Sequence, residues 1–135
     1  MVEITGTYLG DLHVEAVHGP SGARLVTDAP ADNEGKGELF SPTDLVATAL
    51  GTCITTILGI VARRHGLDLE GATFSVTKDM ATEGVRRIGR LRTTITLPAR
   101  LPPEMRARLE EAARKCPVHK SLHPEVDAPI EFVYA

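Results

Sequence analysis

Two cysteines, Cys53 and Cys116, are the residues of this chain best suited to chemistry. Cys53 lies within Ala49-Leu50-Gly51-Thr52-Cys53-Ile54-Thr55-Thr56. Burial in such an apolar stretch raises a thiol's pKa and leaves it inert, so a reactive Cys53 requires hydrogen-bond donors, a cation or a helix terminus beside it. The hydroxyls of Thr52, Thr55 and Thr56 are the donors at hand. Cys116 directly precedes Pro117 and a short stretch suited to a helical turn. At such a cap position free backbone N–H groups and the helix dipole favour a thiolate, so local sequence makes Cys116 the more acidic of the two. His119 follows three residues later, but a zinc site built there would need His119, His123 or a carboxylate to complete four ligands. No metal is expected. The plainest alternative is that both cysteines are inert apolar core residues.

Composition bounds what these thiols can serve. Fifteen basic and eighteen acidic residues give a formal charge of -3, with no basic block to track a phosphate backbone. Arg86, Arg87, Arg90 and Arg92 are the closest approach to one, but no aromatic residue is interleaved to stack on bases, and a solvated strand face accounts for them. Nucleic acid is therefore not expected as a partner. Met1-Val2-Glu3-Ile4-Thr5 lacks the basic start and apolar run of a signal peptide, which points to the cytoplasm. In that reducing compartment two cysteines suit redox or catalytic work better than a structural disulfide. The chain has the size of a single domain spanning residues 1–135. Aromatic residues make up only 4% and Trp is absent, so aliphatic side chains and Ala must fill the core. A short chain leaves much apolar surface uncovered, which favours pairing of two copies.

The elements that must hold the cysteines can be read from periodicity and turn residues. Val2 to about Leu9 reads as a strand, Gly10-Asp11 as a turn, and Leu12 to His18 as a second strand; Ala23 to Thr27 makes a third after Gly19-Pro20-Ser21-Gly22. Residues 28–40 read as a loop. Ser41-Pro42-Thr43-Asp44 starts a helix, with Ser41 as cap, Pro42 at the first position and Asp44 three residues on. The helix runs to about His65, where Arg63, Arg64 and His65 suit its carboxyl end and Gly66 supplies a left-handed stop. Leu45 to Ala62 carries no charge, but its threonines and glycines and the absence of an aromatic belt argue against a membrane span. A helix buried on nearly all sides is the better reading, and it needs protein on every face. Ala72–Lys78 and Leu91–Leu97 alternate as a second hairpin. A helix opens at Pro102-Pro103-Glu104 with Met105, Leu109, Ala112 and Ala113 on its apolar stripe, and Ile130–Tyr134 closes the chain as a strand. The fold class is α+β with antiparallel sheets around a long buried helix.

Ser41-Pro42-Thr43-Asp44-Leu45-Val46-Ala47-Thr48-Ala49-Leu50-Gly51-Thr52-Cys53, followed by Cys116-Pro117-Val118-His119-Lys120-Ser121-Leu122, resembles the two cysteine motifs of the OsmC and organic hydroperoxide resistance family. The resemblance implies an OsmC-like fold, an intertwined homodimer, and thiol-dependent reduction of organic hydroperoxides or hydrogen peroxide in oxidative-stress defence. It implies that Cys53 is oxidised to a sulfenic acid and that Cys116 condenses with it to a disulfide. An external dithiol or lipoyl group would restore the thiols, with no bound cofactor. Two departures bear on activity. The family's peroxidases carry an Arg just after the first strand, where this chain reads Thr7-Tyr8-Leu9-Gly10-Asp11, and a Glu after the helix-opening proline, where it has Thr43. Arg24 with Glu38, or Asp44 if not used in capping, are the replacements to look for. The alternative reading is a small-molecule-binding or redox-sensing OsmC-like protein without efficient peroxidase turnover.

Overall fold

A computed structural model describes all residues, Met1–Ala135. The chain forms two compact units, Met1–Val46 and Ala47–Ala135.

The first unit is an antiparallel sheet of β1 (Ile4–Gly10), β2 (His13–His18) and β3 (Arg24–Thr27), in that order. Gly10, Asp11 and Leu12 all have positive φ, at 90°, 51° and 63°, so the chain reverses in a left-handed turn that matches strand twist. The expected Gly-Asp turn is therefore present, and β2 starts one residue later than the alternation suggests. The loop after β3 is organised by Asp28, whose Oδ2 accepts the Glu38 backbone N–H at 3.1 Å.

Helix α1 (Pro42–Arg64) begins with the reciprocal cap that the sequence predicts. The Ser41 backbone N–H donates to Asp44 Oδ2 at 2.9 Å, and the Asp44 N–H donates to Ser41 Oγ at 3.1 Å. At the other end Gly66 has φ 66° and the Leu67 N–H returns to the Ala62 carbonyl, a left-handed stop.

In the second unit, β4 (Thr73–Met80), β5 (Ile88–Leu97) and β6 (Ile130–Tyr134) form a sheet with β5 in the middle. β4 and β5 pair antiparallel, and the hairpin extends further towards its tip than expected, to Met80↔Ile88. The expectation of antiparallel sheets holds for this pair and for the first unit, but not for β6, which pairs with β5 in parallel from Thr93↔Ile130 to Leu97↔Tyr134. The intervening α2 (Pro103–Ala113) and α3 (Pro117–Ser121) form a crossover that returns the chain to the start of β5, which permits parallel pairing. Leu91, Thr93, Ile95 and Leu97 of β5, Leu109 and Ala113 of α2, and Leu50, Ile54, Leu58 and Ala62 of α1 are buried, the period-two and period-four patterns read from sequence. Gly51 lets α1 approach β4 closely: a Cβ there would lie 2.4 Å from the Phe74 ring. Arg106 stacks over Tyr134 at 4.1 Å, and the Tyr134 hydroxyl donates to Glu110 Oε2 at 2.7 Å, fastening α2 to β6.

The expectation that α1 is buried on nearly all sides is not met within one chain. Its buried residues follow one stripe, while Thr52, Thr56 and Ile60 are exposed. This helix is long and apolar enough to cross a membrane by length and composition. Only one sequence face of it finds cover from its own chain.

Candidate functional site

The second unit brings the two cysteines together. Cys53 projects from α1 three residues beyond Leu50, on the flank of the buried stripe, and is half-buried. Cys116 is fully buried at the N-cap of α3, with φ -53° and ψ 128°, and its Sγ accepts the His119 backbone N–H at 3.4 Å. Pro117 at the next position suits the cap, since its missing N–H would have no helical partner there. Both are free thiols, and Cys53 is close enough to Cys116 to interact with its side chain.

This geometry overrides the acidity expected of Cys116 from its cap position. Burial pushes the Cys116 thiol above its ordinary value, the hydrogen bond and charge interaction with Cys53 add to the rise, and the N–H groups of His119 and Val118 only partly offset them. The cap lowers the pKa as anticipated, but desolvation is the larger effect. Cys116 is thus held as the neutral thiol. The threonines do not supply donors in the way the sequence suggests: Thr52 Oγ1 donates to the Thr48 and Ala49 carbonyls and Thr55 Oγ1 to Gly51. The His119 ring is occupied through Nε2 with the Ala128 carbonyl at 3.0 Å, which anchors α3 to the segment before β6.

The auxiliary residues have other local partners in the first unit. Arg24 pairs with Glu15 on the adjacent strand at 2.8 Å, rather than with Glu38. Glu38 faces His13, and Asp44 is engaged in capping. In the second unit Arg87 and Arg90 lie beside Glu125 and Asp127, so these arginines have carboxylate neighbours.

Comparison with known proteins identifies the family. The family profile described as OsmC-like protein matches residues 35–131, most of the chain and both cysteines. The chain belongs to the OsmC family. A crystal structure from Psychrobacter arcticus 273-4, provisionally described as an osmotic stress induced and detoxification response protein, is 42% identical over 98% of this chain and 96% of that one, with a TM-score of 0.91. The same α+β fold recurs at lower identity. An organic hydroperoxide resistance protein OsmC from Legionella pneumophila is 18% identical, with coverage of 98% and 96% and a TM-score of 0.73. The organic hydroperoxide resistance protein OhrB of Bacillus subtilis is 18% identical, with coverage of 98% and 97% and a TM-score of 0.69. A search of curated proteins found no match.

Sequence reading overlooked one constellation in this OsmC-family chain. His13 at the start of β2 points Nε2 between Asp28 Oδ1 and Glu38 Oε2, 3.7 Å from each. Burial opposes ionisation of Asp28, yet the Glu38 N–H, the His13 ring and the N–H groups of Ala29 and Lys36 hold its carboxyl below the ordinary value. No spacing signal reveals this cluster, because its members come from a strand and from opposite ends of a loop.

Proposed function

We propose that this OsmC-family protein is a thiol peroxidase of oxidative-stress defence, acting on organic hydroperoxides or hydrogen peroxide. The observation that carries the reading is the proximity of Cys53 to Cys116, whose thiol is pushed above its ordinary value by burial and by the neighbouring Cys53. A Cys53 thiolate attacks the distal peroxide oxygen; the O–O bond breaks, the leaving alkoxide takes a proton as alcohol, and Cys53 becomes a sulfenic acid. The Cys116 sulfur then displaces water from the sulfenic sulfur, giving the Cys53–Cys116 disulfide with its thiol proton leaving in that water. An external dithiol, of which a lipoyl group is one form, returns two electrons and two protons by exchange. No bound cofactor enters this scheme. Structural neighbours named as organic hydroperoxide resistance proteins support the substrate class.

The working form in this proposal is a cytoplasmic homodimer with a single OsmC-like domain per chain. Its support is the uncovered apolar surface: Ile60 on α1 is 41% exposed, and Ile4 and Tyr8 on β1 are more exposed still. A second copy would cover such surface. A second reading, pocket binding or redox sensing without rapid turnover, rests on the absence of Arg at positions 7–11 and the presence of Thr43 where the peroxidases carry Glu.

The test is titration of the reduced protein with cumene hydroperoxide, read by mass spectrometry. Rapid loss of two hydrogens in the wild type is expected, with a trapped sulfenic acid in Cys116→Ser and no oxidation in Cys53→Ser. Thiols that stay reduced for minutes under equimolar peroxide would overturn the enzyme reading in favour of the second.

A further inference from the structure

We propose that His13, Asp28 and Glu38 form a binding site for one divalent first-row transition cation of the Mn²⁺, Fe²⁺ or Zn²⁺ class. It involves neither cysteine and is independent of the peroxidase reading.

The three side chains present one nitrogen and two carboxylate oxygens, all within 4.8 Å of one another. His13 Nε2 stands 3.7 Å from Asp28 Oδ1 and 3.7 Å from Glu38 Oε2. These separations exceed hydrogen-bond length, about 2.7–3.2 Å. They are only slightly wider than the roughly 3.3–3.5 Å between neighbouring donors on a tetrahedral cation bound at about 2.0–2.2 Å.

The orientation of the imidazole is a separate observation. His13 Nδ1 lies 2.7 Å from the Asp11 carbonyl oxygen, which can only accept. Nδ1 therefore carries a hydrogen, and the ring is fixed with Nε2 facing the two carboxylates. A backbone carbonyl that orients the imidazole through its other nitrogen is the usual second-shell arrangement of a metal-binding histidine. The two carboxylates carry two negative charges, matched by a dication. The neighbouring Lys36 is directed to Asp11 at 3.6 Å. Asp28 is 99% buried by side-chain area and braced by the Glu38 N–H, whereas Glu38 is 57% exposed, which leaves an entry side for the ion and for completing waters. Three protein ligands with open positions is the coordination of a site that can exchange water or ligand.

The experiment is Mn²⁺ titration of the full-length reduced protein followed by electron paramagnetic resonance; Mn²⁺ is chosen because its preference for oxygen and nitrogen avoids the thiols. One Mn²⁺ per chain is expected, displaced by Zn²⁺, with affinity falling at least tenfold in Glu38→Gln and in His13→Gln and unchanged in Lys36→Gln. The exposure of Glu38 makes Glu38→Gln safe for folding, which circular dichroism verifies. Broadening of the His13 ring signals by substoichiometric Mn²⁺ locates the ion without any substitution. The proposal is overturned if binding does not saturate, if both ligand variants bind as the wild type does, or if ring-nitrogen shifts show His13 doubly protonated at pH 7.5 in excess Zn²⁺. That last result would make the cluster an ionic latch between the strand and the loop.

Discussion

A thiol at a helix N-cap and a thiol within a long helix would ordinarily be ranked in that order of acidity, because the first has free N–H donors and the second has none. In this chain Cys116 has its donor from His119 and is nevertheless pushed up, since complete burial and the neighbouring Cys53 both penalise its charge. Cys116 is accordingly expected to alkylate with iodoacetamide in the native protein only at higher pH than in the unfolded chain, measured by peptide mapping across a pH series. In Cys53→Ala the Cys116 titration should move down while staying above its ordinary value, because the contribution of Cys53 is lost and that of burial remains. A raised folded-state pKa also has a defined effect on stability. The contribution is full below the ordinary thiol value of 9.0 and is lost as pH climbs from there through the raised value. Urea unfolding of the reduced wild type should therefore weaken above that pH, and Cys116→Ala should weaken less steeply.

The elements were legible wherever a local rule was strong. Ser41, Pro42 and Asp44 specify the start of α1 through the reciprocal cap, and Ser41→Ala is expected to cost about 1 kcal/mol by removing the acceptor for the Asp44 N–H, measured by urea denaturation. Gly51 is a different case. As a helix-interior glycine it appears weak, and Ala there would add up to about 1 kcal/mol of helix propensity. Its Cβ would, however, meet Phe74 ring carbons at 2.4 Å, so Gly51→Ala should be net destabilising by about 1–2 kcal/mol, since overpacking outweighs propensity. The paired change with Phe74→Leu should recover part of that loss. The parallel placement of β6 was not legible, because the residue pattern of Ile130–Tyr134 suits either direction and only the length and path of the α2–α3 crossover fix it.

For the whole molecule the dominant fact is apolar surface without cover. α1 buries one stripe, and Ile60 on α1 and Phe74 on β4 stay partly open. Sedimentation is expected to give twice the chain mass at micromolar concentration, and Ile60→Glu should shift the equilibrium towards monomer by weakening the apolar contact. A monomeric wild type of unchanged solubility would remove the proposed dimer.

By itself the sequence determined the types and order of the elements, the caps of α1, the inward faces of β5 and α2, and the two cysteines as the candidates for chemistry, because each rests on residue type, on periodicity or on a contact within a few positions of the chain. Only tertiary structure decided that the two cysteines are neighbours, that Cys116 is harder to ionise than its cap position suggests, that Arg24 turns to Glu15, and that His13 faces Asp28 and Glu38. These depend on desolvation and on distances between segments far apart in the chain, and neither quantity is carried by local spacing.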